Sequence, residues 1–367
     1  MTHDEIFQQS TTYFLRPVAS LLNDESVTEI LINGTSEIYF ERAGQLYRHD
    51  QTYESEEFLM SAAVNIAEFV DRPLDDDHPH VDARLPDGSR VHIIIPPLSR
   101  VGICISIRKF SKRRFNLEEL VEKKSLTKEA KEYLEIAVLL KKNIAISGGT
   151  GTGKTSLLNA LSSCIPDTER IVVIEDSSEL KLHQPHTVYL EAQPARPGGR
   201  GAISIRELFA NSLRMRPDRV VVGEVRRGEA LDMLQAMIAG HAGSITTVHA
   251  SSPRAALTRL EMLSMQNEVS LTTDVAKMQV AAAIDLVIQI QRDGNGFRRV
   301  QEITEIHEDL ENGKYVVSDI FRLFPKGEGE NRHIELAHTG KKSIMTDELE
   351  MKNLRSIVKT TSSIFQR

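Results

Sequence analysis

Residues 148–155 read Gly-Gly-Thr-Gly-Thr-Gly-Lys-Thr and lie between an apolar run at 143–147 and a helical pattern. The run fits G-x-x-x-x-G-K-[ST] in the strand–loop–helix setting that motif requires. Glycines free the backbone N–H groups to turn toward phosphate oxygens, and the following helix adds its positive dipole end. A nucleoside triphosphate is the implied ligand, cradled by Gly148, Gly149, Thr150, Gly151, Thr152 and Gly153. Lys154 would reach the β- and γ-phosphates, Thr155 would hold Mg²⁺ through its hydroxyl, and Ser156 would start the helix.

A phosphate loop of this kind demands a parallel sheet, and the sequence around it alternates accordingly. A helix is expected at 126–141, then strands at 143–147, 170–174, 219–223 and 244–249, with helices between them. That rhythm is α/β, with helices on both faces of a mostly parallel sheet. Beyond residue 283, two runs at 284–291 and 298–306 flank Asp293-Gly294-Asn295-Gly296 and read as an added antiparallel hairpin. The tail from 326 to 367 is expected to be helical and charged.

The first third has a different grain. Short alternating runs at 27–33, 37–42 and 45–49 are separated by Asn33-Gly34 and Ala43-Gly44, which predicts a meander. A helix follows at 55–70, with Phe58, Leu59, Ala62, Ala63, Ile66 and Phe69 as its core face, and further strands at 81–85, 90–95 and 102–108. The 367 residues thus divide into a smaller α+β N-terminal domain over 1–110, a linker at 111–125 and an ATPase-like domain over 126–325. Lys112-Arg113-Arg114 in the linker is either a solvated basic segment or a modest patch for lipid or nucleic acid.

Composition excludes several functions. The formal net charge of −7 provides no global field to attract nucleic acid, so no specific nucleic-acid partner is expected. Two cysteines, Cys104 and Cys164, cannot form a thiolate zinc site and are expected as reduced, buried thiols. No apolar run approaches the ~18 residues of a spanning helix, and the expected location is cytoplasmic.

Carboxylates must accompany a phosphate loop if hydrolysis is to follow. The strand at 171–174 ends in Glu175-Asp176 and the strand at 220–223 ends in Glu224, each at the sheet edge where ligands bind in such folds. Their alternative role is to cap the helices that follow. The segment 240–249 carries His241 and ends in His249, a third strand that finishes in a polar group. Met233 and its neighbours in 231–238, with Leu257, Leu260 and Leu263, read as core.

These boxes together resemble the secretion ATPase superfamily of type II and type IV secretion and type IV pili, most closely its Tad/Flp pilus-assembly branch. The resemblance rests on the phosphate loop, the acidic box 175–180, the segment 213–226, the histidine box 240–249, and in the first domain on 82–91 and 106–110. It implies a RecA-like P-loop domain that hydrolyses Mg-ATP. Glu175 would polarise the attacking water, Glu224 would act through Mg²⁺ and its waters, and His249 and His241 would sense the γ-phosphate region. It further implies a homo-hexamer in which Arg90 and Arg108 reach a nucleotide; the alternative for Arg90 is an ordinary hairpin surface residue. The ring would sit at the inner membrane through pilus or secretion platform proteins. A type IV secretion ATPase is the alternative within the superfamily, and a nucleotide-binding assembly scaffold with little turnover is the alternative outside it.

Overall fold

The computed structural model describes residues 3–109, 115–195, 200–267, 271–327 and 333–366. Phe110, the expected end of the first domain, and the basic run Lys112-Arg113-Arg114 lie outside the described residues. The chain divides into two compact units, Met1–Arg113 with Ala195–Gly201, and Arg114–Pro194 with Ala202–Arg367.

In the first unit, helices α1 (His3–Phe14) and α2 (Ala19–Asn23) precede strands β1 (Val27–Asn33), β2 (Glu37–Arg42) and β3 (Gln45–Arg48). Helix α3 (Glu56–Phe69) and strands β4 (His80–Arg84), β5 (Arg90–Ile94) and β6 (Cys104–Arg108) follow. The strands form an antiparallel sheet in the order β3-β2-β1-β6-β5-β4. Helix α3 starts where the Ser55 hydroxyl accepts from the Phe58 N–H, a side-chain cap that satisfies a donor otherwise left without a partner. Its buried face, Leu59, Ala62, Ala63, Ile66 and Ala67, packs with Ile30, Ile32, Ile93, Ile105 and Ile107 from alternate strand positions. Phe58 and Phe69 are only half-buried at the rim of this core.

The second unit begins with α4 (Leu117–Glu122), α5 (Lys128–Leu139), β7 (Ile144–Ser147), α6 (Lys154–Ser162), β8 (Ile171–Glu175), β9 (Thr187–Glu191) and α7 (Ile205–Ser212). It continues with β10 (Arg219–Val222), α8 (Glu229–Ile238), β11 (Ile245–Val248), α9 (Pro253–Ser264) and α10 (Thr273–Ala283). Strands β12 (Leu286–Arg292), β13 (Arg298–Glu311), β14 (Lys314–Lys326) and β15 (His333–His338) and helix α11 (Thr346–Met351) complete it. Among the described residues these strands make one sheet, ordered β15-β14-β13-β12-β7-β11-β10-β8-β9. The run from β12 to β9 is parallel, and β13 to β15 extend it antiparallel. Every residue of β7, β8, β10 and β11 is buried, as strands covered on both faces must be. Ile144 and Ile146 face α5 and α6, whereas Ala145 faces α8 and α9. This is the α/β, RecA-like architecture, with a smaller α+β unit before it in the chain.

Three expectations need correcting. The hairpin after residue 283 is not an addition, because β12 pairs in parallel with β7 and so belongs to the central sheet. Strand β9 was not foreseen; it lies at the sheet edge and is only partly buried, so its apolar signal is weak. The tail over 326–367 is not a helix throughout. Alternating Ile334 and Leu336 make β15, α11 is short, and Ile364 and Phe365 are fully buried in the core beside α5. Met233, Leu257, Leu260 and Leu263 are core residues. Cys104 and Cys164 are free and half-buried, and burial pushes the Cys164 thiol up to about 12. No helix of the described residues is long and apolar enough to cross a membrane.

Candidate nucleotide site

Parallel pairing brings the carboxyl ends of the central strands level, with Ser147 beside Val248, Val222 beside Thr246 and Ile174 beside Val222. Each strand therefore delivers the residue after it to the same edge. From β7 comes the phosphate loop. Its turn uses left-handed backbone at Gly151 (φ 70°) and Gly153 (φ 99°), conformations that favour glycine. Gly153 is the N-cap of α6 and, being glycine, brings no side-chain acceptor to the first N–H groups of the helix. Gly149 and Thr150 are exposed, Thr155 is half-buried and Ser156 is exposed in the first turn of α6. The Thr152 hydroxyl donates to the Gly149 carbonyl at 2.9 Å, closing the loop on itself.

Across the sheet edge the polar groups connect in strand order. Lys154 is buried and its Nζ donates to the Gly149 carbonyl at 2.9 Å, with His249 Nε2 at 3.2 Å. His249 Nε2 stands 2.8 Å from Glu224 Oε1. The other oxygen of Glu224 accepts from Arg226 at 2.6 Å, and Arg226 also donates to Asp176 at 2.7 Å. The loop, β11 and β8 thus contribute one link each, and the segment after β10 contributes two. Burial holds the His249 imidazole below its ordinary value, helped by Lys154, Arg226 and Arg259 and opposed by Glu224. The Arg226 guanidinium is held above its ordinary value, first by its bond to Glu224.

Glu175 is buried at the end of β8, and its Oε1 accepts from the Glu179 and Leu180 N–H groups at 2.9 and 3.0 Å, which fixes the side chain. Gly223 makes room for it: a Cβ there would come within 3.0 Å of Glu175 Cγ. The Thr247 hydroxyl donates to the Gly223 carbonyl at 2.8 Å and ties β11 to the same corner. Glu175, Glu224, His249, Lys154 and Thr155 accordingly share one edge. His241 does not join them. It precedes β11, its N–H bonds to the Ala236 carbonyl and its carbonyl accepts from Ser244, so it stands at the amino end of the strand that His249 follows. Arg90 and Arg108 belong to the first unit, where β5 and β6 set them directly opposite one another.

Four residues of this edge escape sequence reasoning. Arg226 ends the segment 213–226, to which the resemblance gives it no role. Gln289, Arg292 and Arg298 come from the hairpin β12–β13, read from sequence only as an appendage. Arg298 Nε donates to the Gly151 carbonyl at 2.8 Å. The cross-strand pairing of two arginines around a Gly-rich turn was the available signal, since it places both on one face.

A family model described as Type II/IV secretion system protein matches residues 14–314. A putative conjugal transfer protein of Mycobacterium tuberculosis is 33% identical over 78% of this chain and 83% of its own. The type IV secretion system protein PtlH of Bordetella pertussis is 34% identical over 80% of this chain and 94% of its own. Among solved structures, the Legionella pneumophila ATPase DotB superposes with a TM-score of 0.55 at 18% identity, over 83% of this chain and 82% of that one, a likeness of fold.

Proposed function

The chain belongs to the type II/IV secretion system protein family, and from that premise we propose that it is the ATP-hydrolysing motor of a type IV secretion apparatus. The carrying observation is the polar chain from Lys154 through His249 to Glu224 and Arg226, laid across adjacent strands beside a phosphate loop. Relatives named for type IV secretion and conjugal transfer favour this reading over the Tad/Flp pilus branch.

In this reading the loop amides and Lys154 hold the β- and γ-phosphates, and the contact between His249 and Glu224 reports on whether Lys154 is engaged. Glu175 orients the attacking water. Thr155 and Glu224 are hard oxygen donors of the kind Mg²⁺ takes alongside substrate phosphates, and they would hold it here. The cation supplies charge neutralisation when bound. Arg90 and Arg108 act from a neighbouring subunit of a homo-hexamer, where a well-placed guanidinium accelerates phosphoryl transfer by roughly 10³–10⁵-fold. The ring works on the cytoplasmic side of the inner membrane, held there by platform proteins of the apparatus.

The test is Mg-ATPase turnover per subunit across a protein dilution series, with Lys154→Ala and Glu175→Gln alongside. A specific rate that climbs with assembly and vanishes in both variants supports the motor. Tight ATP binding with turnover no faster than Glu175→Gln at any concentration supports an assembly scaffold instead. Deletion in the source cell separates the branches: loss of substrate or plasmid transfer supports type IV secretion, and loss of surface pili alone returns the protein to the Tad/Flp branch.

A further inference from the structure

We propose that Arg292 and Arg298, from the hairpin β12–β13, form a second basic wall of the nucleotide site and hold phosphate oxygens within the same subunit as the phosphate loop. The inference rests on the nucleotide-binding reading above and adds to it two residues that no motif marks.

Arg292 and Arg298 pair directly across the hairpin, so their side chains leave the same face. That face is the one laid along the loop. Ile290, two residues before Arg292, touches it at one end, where a Cβ on Gly148 would lie 2.7 Å from the Ile290 carbonyl. A Cβ on Gly151 would lie 3.8 Å from Arg292 Nη1, and one on Gly153 would lie 3.5 Å from Arg298 Cδ. The Arg298 Nε bond to Gly151 at 2.8 Å anchors the second guanidinium to the turn itself. A guanidinium carries five N–H donors in a fixed fork that matches phosphate oxygens. Like charges directly opposite on a hairpin disfavour it, and an anion shared between them reverses that effect.

A second observation points to a polar occupant at the same place. A cavity of about 360 Å³ is lined by Gly149, Thr152, His249, Gln289, Arg292 and Gln301, among others. Gln289 is 3% exposed, and its Oε1 has no hydrogen-bond donor among the described residues. Buried acceptors are nearly always satisfied, so an unmet one on a residue of the cavity wall points to a polar partner that a small turn of the side chain would reach. The pairing of β12 with β13 shifts register between Gln289 and Ile290, leaving Gln301 as the extra residue that lines this cavity. Such irregularities re-aim side chains beside sites.

The experiment titrates a fluorescent ATP analogue, and ADP in competition, against the full chain in Mg²⁺. Wild type is compared with Lys154→Ala, Arg292→Ala, Arg298→Ala and Arg298→Lys, and unfolding temperatures are recorded without nucleotide. Each arginine-to-alanine change is expected to weaken both nucleotides by about ten- to a hundredfold, as loss of a hydrogen bond to a charged group does. That loss is expected to be equal at every protein concentration, because the arginines act in cis, and to come with only a small shift of the unliganded unfolding temperature. Arg298→Lys is expected to recover most of the affinity. Wild-type affinity in both alanine variants, with binding lost in Lys154→Ala, overturns the proposal and leaves the nucleotide reading intact. No binding by the wild type overturns both. A matching fall in unliganded unfolding temperature, or no recovery by lysine, assigns the arginines to loop shape and overturns the phosphate contact.

Discussion

His249 Nε2 lies 2.8 Å from Glu224 Oε1, and this one ring nitrogen also stands 3.2 Å from the Lys154 ammonium. A neutral imidazole uses that nitrogen either as a donor to Glu224 or as an acceptor from Lys154, never both at once. Burial and the neighbouring cations hold its pKa below the ordinary 6.5, so the ring is neutral at pH 7. Protonation would set a second cation beside Lys154. The folded state binds fewer protons than the unfolded one, so the stability gained from the neutral ring is complete above pH 6.5 and lost as pH falls toward the lowered value. Turnover should decline on the acid side as pH falls toward that lowered value, so the acid limb of wild-type kcat/KM lies below 6.5. His249→Gln should cost about ten- to a hundredfold at neutral pH, the effect of one hydrogen bond to a charged group, and flatten that limb. An unchanged acid limb in the variant would separate His249 from the titration.

Two adjacent glycines of the loop are expected to differ sharply. A Cβ on Gly148 would lie 2.6 Å from Thr152 Oγ1 and 2.7 Å from the Ile290 carbonyl, whereas one on Gly149 meets nothing nearer than 3.8 Å. Gly148→Ala should therefore remove nucleotide binding and lower stability by about 1–3 kcal/mol through overpacking. Gly149→Ala should fold as the wild type does. Thermal unfolding and nucleotide titration of the two variants check this, and equal behaviour would show that the loop relaxes more freely than its contacts indicate.

What the sequence makes legible here follows from local geometry. The phosphate loop, Glu175 and Glu224 each follow a short run of apolar residues, and a buried parallel strand must end at the edge where such groups collect. The meander β1–β3 was readable because Asn33-Gly34 and Ala43-Gly44 impose turns. Arg226, Arg292 and Arg298 were not readable, because their roles depend on which strands become neighbours, and strand order is long-range information. His241 shows the converse error: sharing a box with His249 suggested a shared site, but four strand residues, Ile245–Val248, carry the two toward opposite edges. The C-terminal segment misled because its charge masked a few deeply buried anchors, Leu349, Ile364 and Phe365.

Part of the histidine box is structural, through Arg219. This side chain is fully buried, bonded to Glu169 at 2.5 Å and to the Val138 carbonyl at 2.8 Å. A Cβ on Gly243, where φ is 82°, would lie 2.1 Å from Arg219 Nη1. Gly243→Ala should thus destabilise by more than about 3 kcal/mol, combining a clash with left-handed backbone. Arg219→Met should also destabilise, by about 1–3 kcal/mol, because Glu169 loses its shorter ion pair and keeps Lys141 at 3.4 Å. The double variant removes the clash along with the guanidinium and should lose clearly less than the two single effects added together. Strict additivity in urea unfolding would count against the contact as the reason for the glycine.

The last turn of the chain is fastened by one carboxylate. Glu132, on α5, accepts from the N–H groups of Lys359, Thr360 and Thr361 at 2.7–3.0 Å and from both threonine hydroxyls. Burial alone would raise its pKa, yet the Thr361 hydroxyl and these N–H groups hold it at about 2. The folded-state value lies below the unfolded one, so this contribution is complete above about pH 4.3 and is lost as pH falls toward 2. Since Ile364 and Phe365 lie a few residues beyond the clasp and fill the core beside Tyr133, loosening it exposes apolar surface. Glu132→Gln keeps the shape, removes the charge and cannot accept all these bonds. It should cost about 1–2 kcal/mol after solvent screening. It should also speed proteolysis near Lys359 at neutral pH and flatten the acid dependence of unfolding between pH 4 and 2, which urea titration across that range measures directly. A variant as protease-resistant as the wild type would mean that the buried aromatic anchors alone hold the segment.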